Sequence, residues 1–138
     1  MSYRYLEHAT DAIIEVTAPN LSTAFEVAGK SVVETIIDPS KIEEKTIKHV
    51  SVTGKDLRYL LYNWLEEIII LTITDGFAAR KISVKIDKNH EYRNQAQVFG
   101  EGIDIKKHGF KVEIKSPTFH EMYIQEGEQI TLRYLLDL

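Results

Sequence analysis

Residues 11–18, DAIIEVTA, alternate: Ala12, Ile14, Val16 and Ala18 fall on one face, and Asp11, Glu15 and Thr17 on the other, with Ile13 the exception. That is the period of a half-buried strand. After Pro19 the period lengthens. Leu21, Ala24, Phe25, Ala28, Val32 and Ile36 form one helical stripe, with Asn20 placed to cap it and Asp38–Pro39 to end it. KTIKHVSVTG then reads as a strand with Ile47, and Val50 or Val52, facing inward. Asp56 opens a second helix, whose apolar stripe runs through Leu57, Leu60, Leu61, Trp64, Leu65, Ile68 and Leu71 to a stop at Gly76. Its later part, IIILTI, is apolar nearly all round, the mark of a helix enclosed by other elements.

The second half is strand-like. Ile82, Val84 and Ile86 alternate with polar residues, KNHEYRN is a polar turn, and Ala96, Val98 and Phe99 lie in a return strand ending at GEG. Val112 and Ile114 alternate with Lys111, Glu113 and Lys115, and Ser116–Thr118 reads as a turn. FHEMYI and QITLRYLLDL are two further strands joined at Glu126–Gly127. In the last, Ile130, Leu132, Tyr134, Leu136 and Leu138 share a face, and Thr131, Arg133 and Asp137 share the other. The pattern predicts an α+β fold, a single two-layer domain over residues 1–138. In it roughly seven strands, largely antiparallel, pack with two main helices.

Composition narrows the picture. At 138 residues and 43% hydrophobic content the chain is one domain with a real core. The absence of cysteine excludes disulfides and cysteine-ligated zinc or iron–sulfur centres. No apolar run reaches the roughly 18 residues of a membrane span. MSYRYLEH lacks the basic start and apolar stretch of a signal peptide, so a soluble, cytoplasmic protein with no membrane attachment is expected. The formal charge of −4 argues against direct, tight binding to nucleic acid.

Asp11 begins a strand and Asp137 ends one, so antiparallel pairing can bring the two acids to one rim of a sheet. A carboxylate pair there repels itself unless a cation or proton intervenes. Carboxylates with a main-chain or chain-end oxygen are hard ligands suited to Ca²⁺ or Mg²⁺. Two solvated strand-end residues are the ordinary alternative. Among His8, His49, His90, His108 and His120 no i, i+4 pair occurs, so no zinc helix is written. His49 and His90 read as surface residues. His8 and His120 flank motif-like segments, as structural hydrogen-bonders or as supports for a site. Lys115, beside a proline-containing turn, offers a single positive point to a partner or a phosphate. Phosphate-loop, serine-nucleophile and zinc-protease signatures are absent. Trp64, flanked by Tyr59 and Tyr62, lies on the apolar stripe and belongs to the core.

Several segments in register resemble one family, archease. Glu7-His8-Ala9-Thr10-Asp11 is similar to its E-H-T-A-D stretch, around which the family opens with a strand pair. Leu60-Leu61-Tyr62-Asn63-Trp64-Leu65-Glu66-Glu67-Ile68 is similar to its helix segment L-L-Y-D-W-L-x-E-L, and Asp75-Gly76-Phe77 to the turn that follows. Gly100-Glu101, His108 and Ile114-Lys115-Ser116-Pro117-Thr118-Phe119-His120 echo G-E … H … V-K-A-x-T-Y-H, and Leu136-Asp137-Leu138 the ending F-D-[IV]. The resemblance spans the whole length. It departs at Asn63, where the family has an aspartate, and in the exchanged order of Ala9 and Thr10.

The resemblance implies a non-catalytic accessory protein of an RtcB-type tRNA-splicing ligase. Such a protein promotes guanylylation of the ligase's histidine and multiple turnover, and is associated with tRNA only indirectly. It also implies a divalent metal ion, calcium first with magnesium or manganese as substitutes. The ligands carried over are Asp11, Asp137 and an oxygen of Leu138, with Lys115 required for activation and His8 and His120 in support. Asn63 would weaken the partner contact if the family's aspartate touches the ligase. The rival readings are a metal-dependent phosphoester hydrolase using the same acids, and a general chaperone or modulator of nucleic-acid-processing proteins.

Overall fold

The computed structural model describes residues 2–6 and 10–138. The chain forms strands β1 (Ser2–Leu6) and β2 (Asp11–Ala18), helix α1 (Leu21–Ile36), strand β3 (Thr46–Gly54) and helix α2 (Leu57–Ile69). Strands β4 (Phe77–Lys88) and β5 (Tyr92–Gly102), a short helix α3 (Ile105–His108), and strands β6 (Ser116–Glu126) and β7 (Ile130–Asp137) complete it. One sheet has the order β1-β2-β7-β6 and the other β3-β5-β4, with antiparallel pairs throughout. Helix α1 packs on β4 and also on β2 and β7, while α2 packs on β3 and β5 and also on β6. Each helix therefore touches strands of both sheets, which is why α2 carries apolar residues on so much of its circumference. The α+β architecture expected from the sequence is the one observed.

Both long helices start where the sequence marks them. The Asn20 side chain accepts the Thr23 N–H at 2.9 Å and the Asp56 side chain accepts the Tyr59 N–H at 2.9 Å. Between the helices, the Trp64 indole N–H donates to the Phe25 carbonyl at 2.8 Å, and Gly29 leaves room for the ring. In the same core the Ser31 hydroxyl donates to the Ala28 carbonyl at 2.6 Å, and the buried Tyr134 hydroxyl in turn donates to the Ser31 oxygen. Burial pushes the Tyr134 hydroxyl far above its ordinary pKa, so it stays a donor.

Four expectations need correction. Ile47 does not face inward: it is 52% exposed, and Val50 and Val52 take the inner side of β3. The second helix does not run unbroken to Gly76. It ends at Ile69 and continues as a π turn over Ile70–Thr74, in which the Asp75 N–H reaches the Ile70 carbonyl five residues back. Gly76, at φ +65°, then turns the chain into β4. Residues 111–115 alternate in burial as expected, yet they join no ladder. The Lys111 N–H goes to the Ile36 carbonyl and the Lys115 N–H to the Asp137 carbonyl, each at 2.7 Å. Ser116–Thr118 is not a turn, for it opens β6, paired with Asp137–Leu135. Pro117 is tolerated because β6 is an edge strand, with β7 on one side only.

Ile13, the exception in the sequence, is buried on the second face of β2, directly opposite Leu135 of β7. The register of β6 slips between Thr118 and Tyr123, so Phe119–Met122 bulge out. The Phe119 ring lies stacked on Tyr62 of α2, with centroids 4.5 Å apart, and the Arg58 guanidinium donates to the Phe119 carbonyl. The end of β3 approaches α2 so closely that a Cβ on Gly54 would sit 2.4 Å from the Leu60 nitrogen. A Gly54→Ala substitution is therefore expected to destabilise the domain by about 1–3 kcal/mol in denaturant unfolding, since the clash is with backbone.

Candidate functional site

The β2–β7 ladder begins with Asp11 opposite Asp137. Residues directly opposite on an antiparallel ladder point to the same side, with Cβ atoms about 5 Å apart. The two acids proposed from the sequence thus share one rim and one face, and both are half-buried. Ser116 of β6 stands opposite Asp137 on the other side, so Asp11, Asp137 and Ser116 form one row across three strands. The serine was not foreseen. Its signal was hidden because Ser116–Thr118 resembles a turn.

The next row on this face is apolar, Ile13 opposite Leu135. The row beyond it holds Glu15 between two guanidiniums, Arg133 at 2.7 Å and Arg4 at 3.1 Å. The Arg133 hydrogen bond first, and then Arg4, hold the Glu15 carboxyl below its usual pKa against the opposing effect of burial. Those two arginines are therefore committed two rungs away from the aspartates.

Lys115 immediately precedes β6, and its N–H donates to the Asp137 carbonyl at 2.7 Å, so an exposed cation is tied to the acid row by the backbone. Leu138 follows Asp137 and is half-buried against the core. His120 stands exposed in the bulge of β6, where its N–H donates to the Thr118 hydroxyl at 2.8 Å, and it is not in the row. His8, with Glu7 and Ala9, lies outside the described residues. Among the described residues, no three side chains of His, Cys, Asp or Glu stand close enough to hold a metal ion. The donor set that fits a cation is two carboxylates with an oxygen of Leu138 and the Ser116 hydroxyl, all hard oxygens.

A second polar cluster went unrecognised in the sequence. The Glu101 carboxylate is nearly buried and accepts from the Lys107 ammonium at 2.9 Å, the Glu43 N–H at 2.8 Å and the His108 Nε2 at 3.0 Å. Nδ1 of the buried His108 accepts the Asp104 N–H at 3.0 Å, so Nε2 carries the hydrogen given to Glu101. This network ties α3 to the end of β5 and fixes where the chain sets out toward Lys115. Asn63 has a structural task as well: its amide donates to the Thr53 carbonyl at 2.8 Å, a bond that an aspartate carboxylate cannot make.

The class that the structure itself defines is a small α+β domain of two antiparallel sheets, with a facing pair of aspartates at one rim. The whole chain carries further evidence. Residues 3–138 match the Archease protein family (MTH1598/TM1083). Protein archease of Pyrococcus abyssi is 35% identical over 125 residues, spanning 90% of this chain and 88% of the relative. Protein archease of Pyrobaculum islandicum is 34% identical over 141 residues, spanning 100% and 96%. The solution structure of Methanobacterium thermoautotrophicum protein 1598 superposes with a TM-score of 0.84 at 31% identity, covering 99% of this chain and 98% of that one. The chain belongs to the archease family. Membership supports an accessory role in RNA processing.

The Lys107 hydrogen bond, followed by the Glu43 N–H, lowers the Glu101 carboxyl to about 2 from an ordinary 4.5. A depressed pKa stabilises the fold above the unfolded value, and that contribution is lost as pH falls through the folded value. Stability is therefore expected to decline between pH 4.5 and about 2, and Glu101→Gln to flatten that part of the profile in acid denaturation monitored by circular dichroism.

Proposed function

We propose that this chain activates an RtcB-type tRNA ligase as a non-catalytic accessory, promoting guanylylation of the ligase's histidine and repeated turnover. The observation that carries the reading is the direct pairing of Asp11 with Asp137 beside the Lys115–Asp137 backbone bond, in a chain of the archease family. The residues singled out by the resemblance as ligands, from opposite ends of the sequence, are neighbours in the fold.

Two facing carboxylates on a ladder repel each other. Asp11 and Asp137, with an oxygen of Leu138, would relieve that repulsion by holding a divalent cation, with calcium the first candidate and magnesium or manganese the substitutes. When bound, the ion supplies positive charge at a rim that can meet the phosphates of the ligase's nucleotide. The protein's own residues do the rest. Asp11 and Asp137 orient the rim, Ser116 adds a neutral oxygen, and Lys115 pairs with a carboxylate or phosphate across the interface. The acid row meets the partner's RNA only through the ligase. Membership of the archease family favours this reading over a hydrolase or a general chaperone.

Two measurements test it. Guanylylation of the ligase is expected to fall at least tenfold with folded Asp11→Ala, Asp137→Ala or Lys115→Ala protein, and full activity with all three overturns the proposal. Calcium is expected to raise the melting temperature of the wild-type chain by a few degrees and to leave Asp137→Ala unmoved, because only a cation bound to the folded state stabilises it. Turnover of a phosphoester by the isolated chain in the presence of divalent ions would favour the hydrolase instead.

A further inference from the structure

The outer face of the β3-β5-β4 sheet is covered by neither helix, and the register orders its side chains into rows. Lys81, Phe99 and Ile47 make one row; Ser83, Gln97 and His49 the next; Lys85, Gln95 and Ser51 the third; Asp87, Arg93 and Thr53 the last. The two middle rows line a shallow hollow of about 490 Å³. At one end lies an apolar floor, where half-buried Phe99 neighbours exposed Ile47 and the Lys81 ammonium stands 5.3 Å from the Phe99 ring centroid.

The charge on these three strands runs against that of the whole chain. In these rows Lys81, Lys85 and Arg93 are set against Asp87, whereas the chain as a whole carries −4. Glu101, near the Phe99 end of the sheet, is engaged by Lys107 and His108. At physiological salt, charges act over about 8 Å. A ligand on this face therefore meets a local positive field, and the net charge that disfavours nucleic acid does not describe it.

We propose that this open face binds single-stranded nucleic acid, of which RNA is the form tested. Lys81, Lys85 and Arg93 contact phosphates, and the Phe99–Ile47 floor receives a base. Ser51, Ser83, Gln95 and Gln97 present hydroxyls and amides to base edges. Cations that track a backbone beside an aromatic platform are the general means of holding single strands. The exposed alternation of amide, hydroxyl and ammonium groups suits a polyanion with hydrogen-bonding bases better than an acidic polypeptide, whose charged side chains accept but do not donate. Affinity is modest, because three phosphate contacts release few counterions. The surface is distinct from the acid row, and the inference does not rest on the ligase reading.

The test is fluorescence anisotropy of the isolated full chain with a labelled oligouridine of about 12 nucleotides, titrated between about 50 and 200 mM salt. The expected result is saturable binding with a log–log salt slope of about −2, from three contacts at roughly 0.7 each. Lys81→Glu with Lys85→Glu should weaken binding about tenfold and bring the slope toward zero. Gln97→Glu, which leaves both lysines in place, should also weaken it, while Lys106→Glu on α3 should not. All four positions are exposed, so circular dichroism should be unchanged. Absence of binding at low salt, or equal loss with Lys106→Glu, overturns the proposal. So does competition by polyglutamate as strong as by unlabelled RNA, which would assign the face to acidic protein surfaces.

Discussion

The register of β2 against β7 is the constraint on which the molecule depends. Eight consecutive pairs, from Asp11↔Asp137 to Ala18↔Ile130, set Ile14, Val16, Leu132, Tyr134 and Leu136 into the core and the two aspartates onto the opposite face. A slip by one residue would invert every side chain of a strand. The core and the acid row are thus the same fact seen from two sides. The Tyr134–Ser31 hydrogen bond strengthens the choice, because a slipped register would take the Tyr134 hydroxyl away from Ser31.

Among the described residues, an apolar row stands between the acid row and the nearest arginines. Ile13 and Leu135 separate it from the Glu15 arginine cluster, so the guanidiniums satisfy Glu15 rather than the rim. The backbone bond from Lys115 to Asp137 ties the main chain of Lys115 to the end of β7 while leaving its side chain in solvent. A site of this kind needs few residues, because the sheet does the positioning.

Much of this was legible in the sequence wherever periodicity and caps agreed. The Asn20 and Asp56 caps, the stripe of α1, the start and buried face of α2, and the alternation of β2 and β7 formed as read. What misled were segments whose pattern satisfies two structures. Ile47 follows an alternation that the inner face of β3 does not use, since Val50 and Val52 hold the other parity. Residues 111–115 alternate because Ile114 reaches the core, yet Lys111 and Lys115 give their N–H groups to the Ile36 and Asp137 carbonyls and no ladder forms. Ser116–Thr118 carries the residues of a turn and nonetheless pairs, because an edge strand tolerates proline. The two acids were visible as strand ends, whereas Ser116 and the Glu101–His108 network required knowledge of which distant segments meet.

One contact on the far side of the domain limits how it assembles. Glu26 of α1 accepts the Val84 N–H at 2.9 Å, on the side of β4 that has no neighbouring strand. A carboxylate planted on that open border occupies a donor that a foreign strand would need and sets a negative charge against its carbonyls. Polymerisation through β4 is thereby discouraged at its first rung, and copies of the protein can crowd together without knitting into a fibre along that seam.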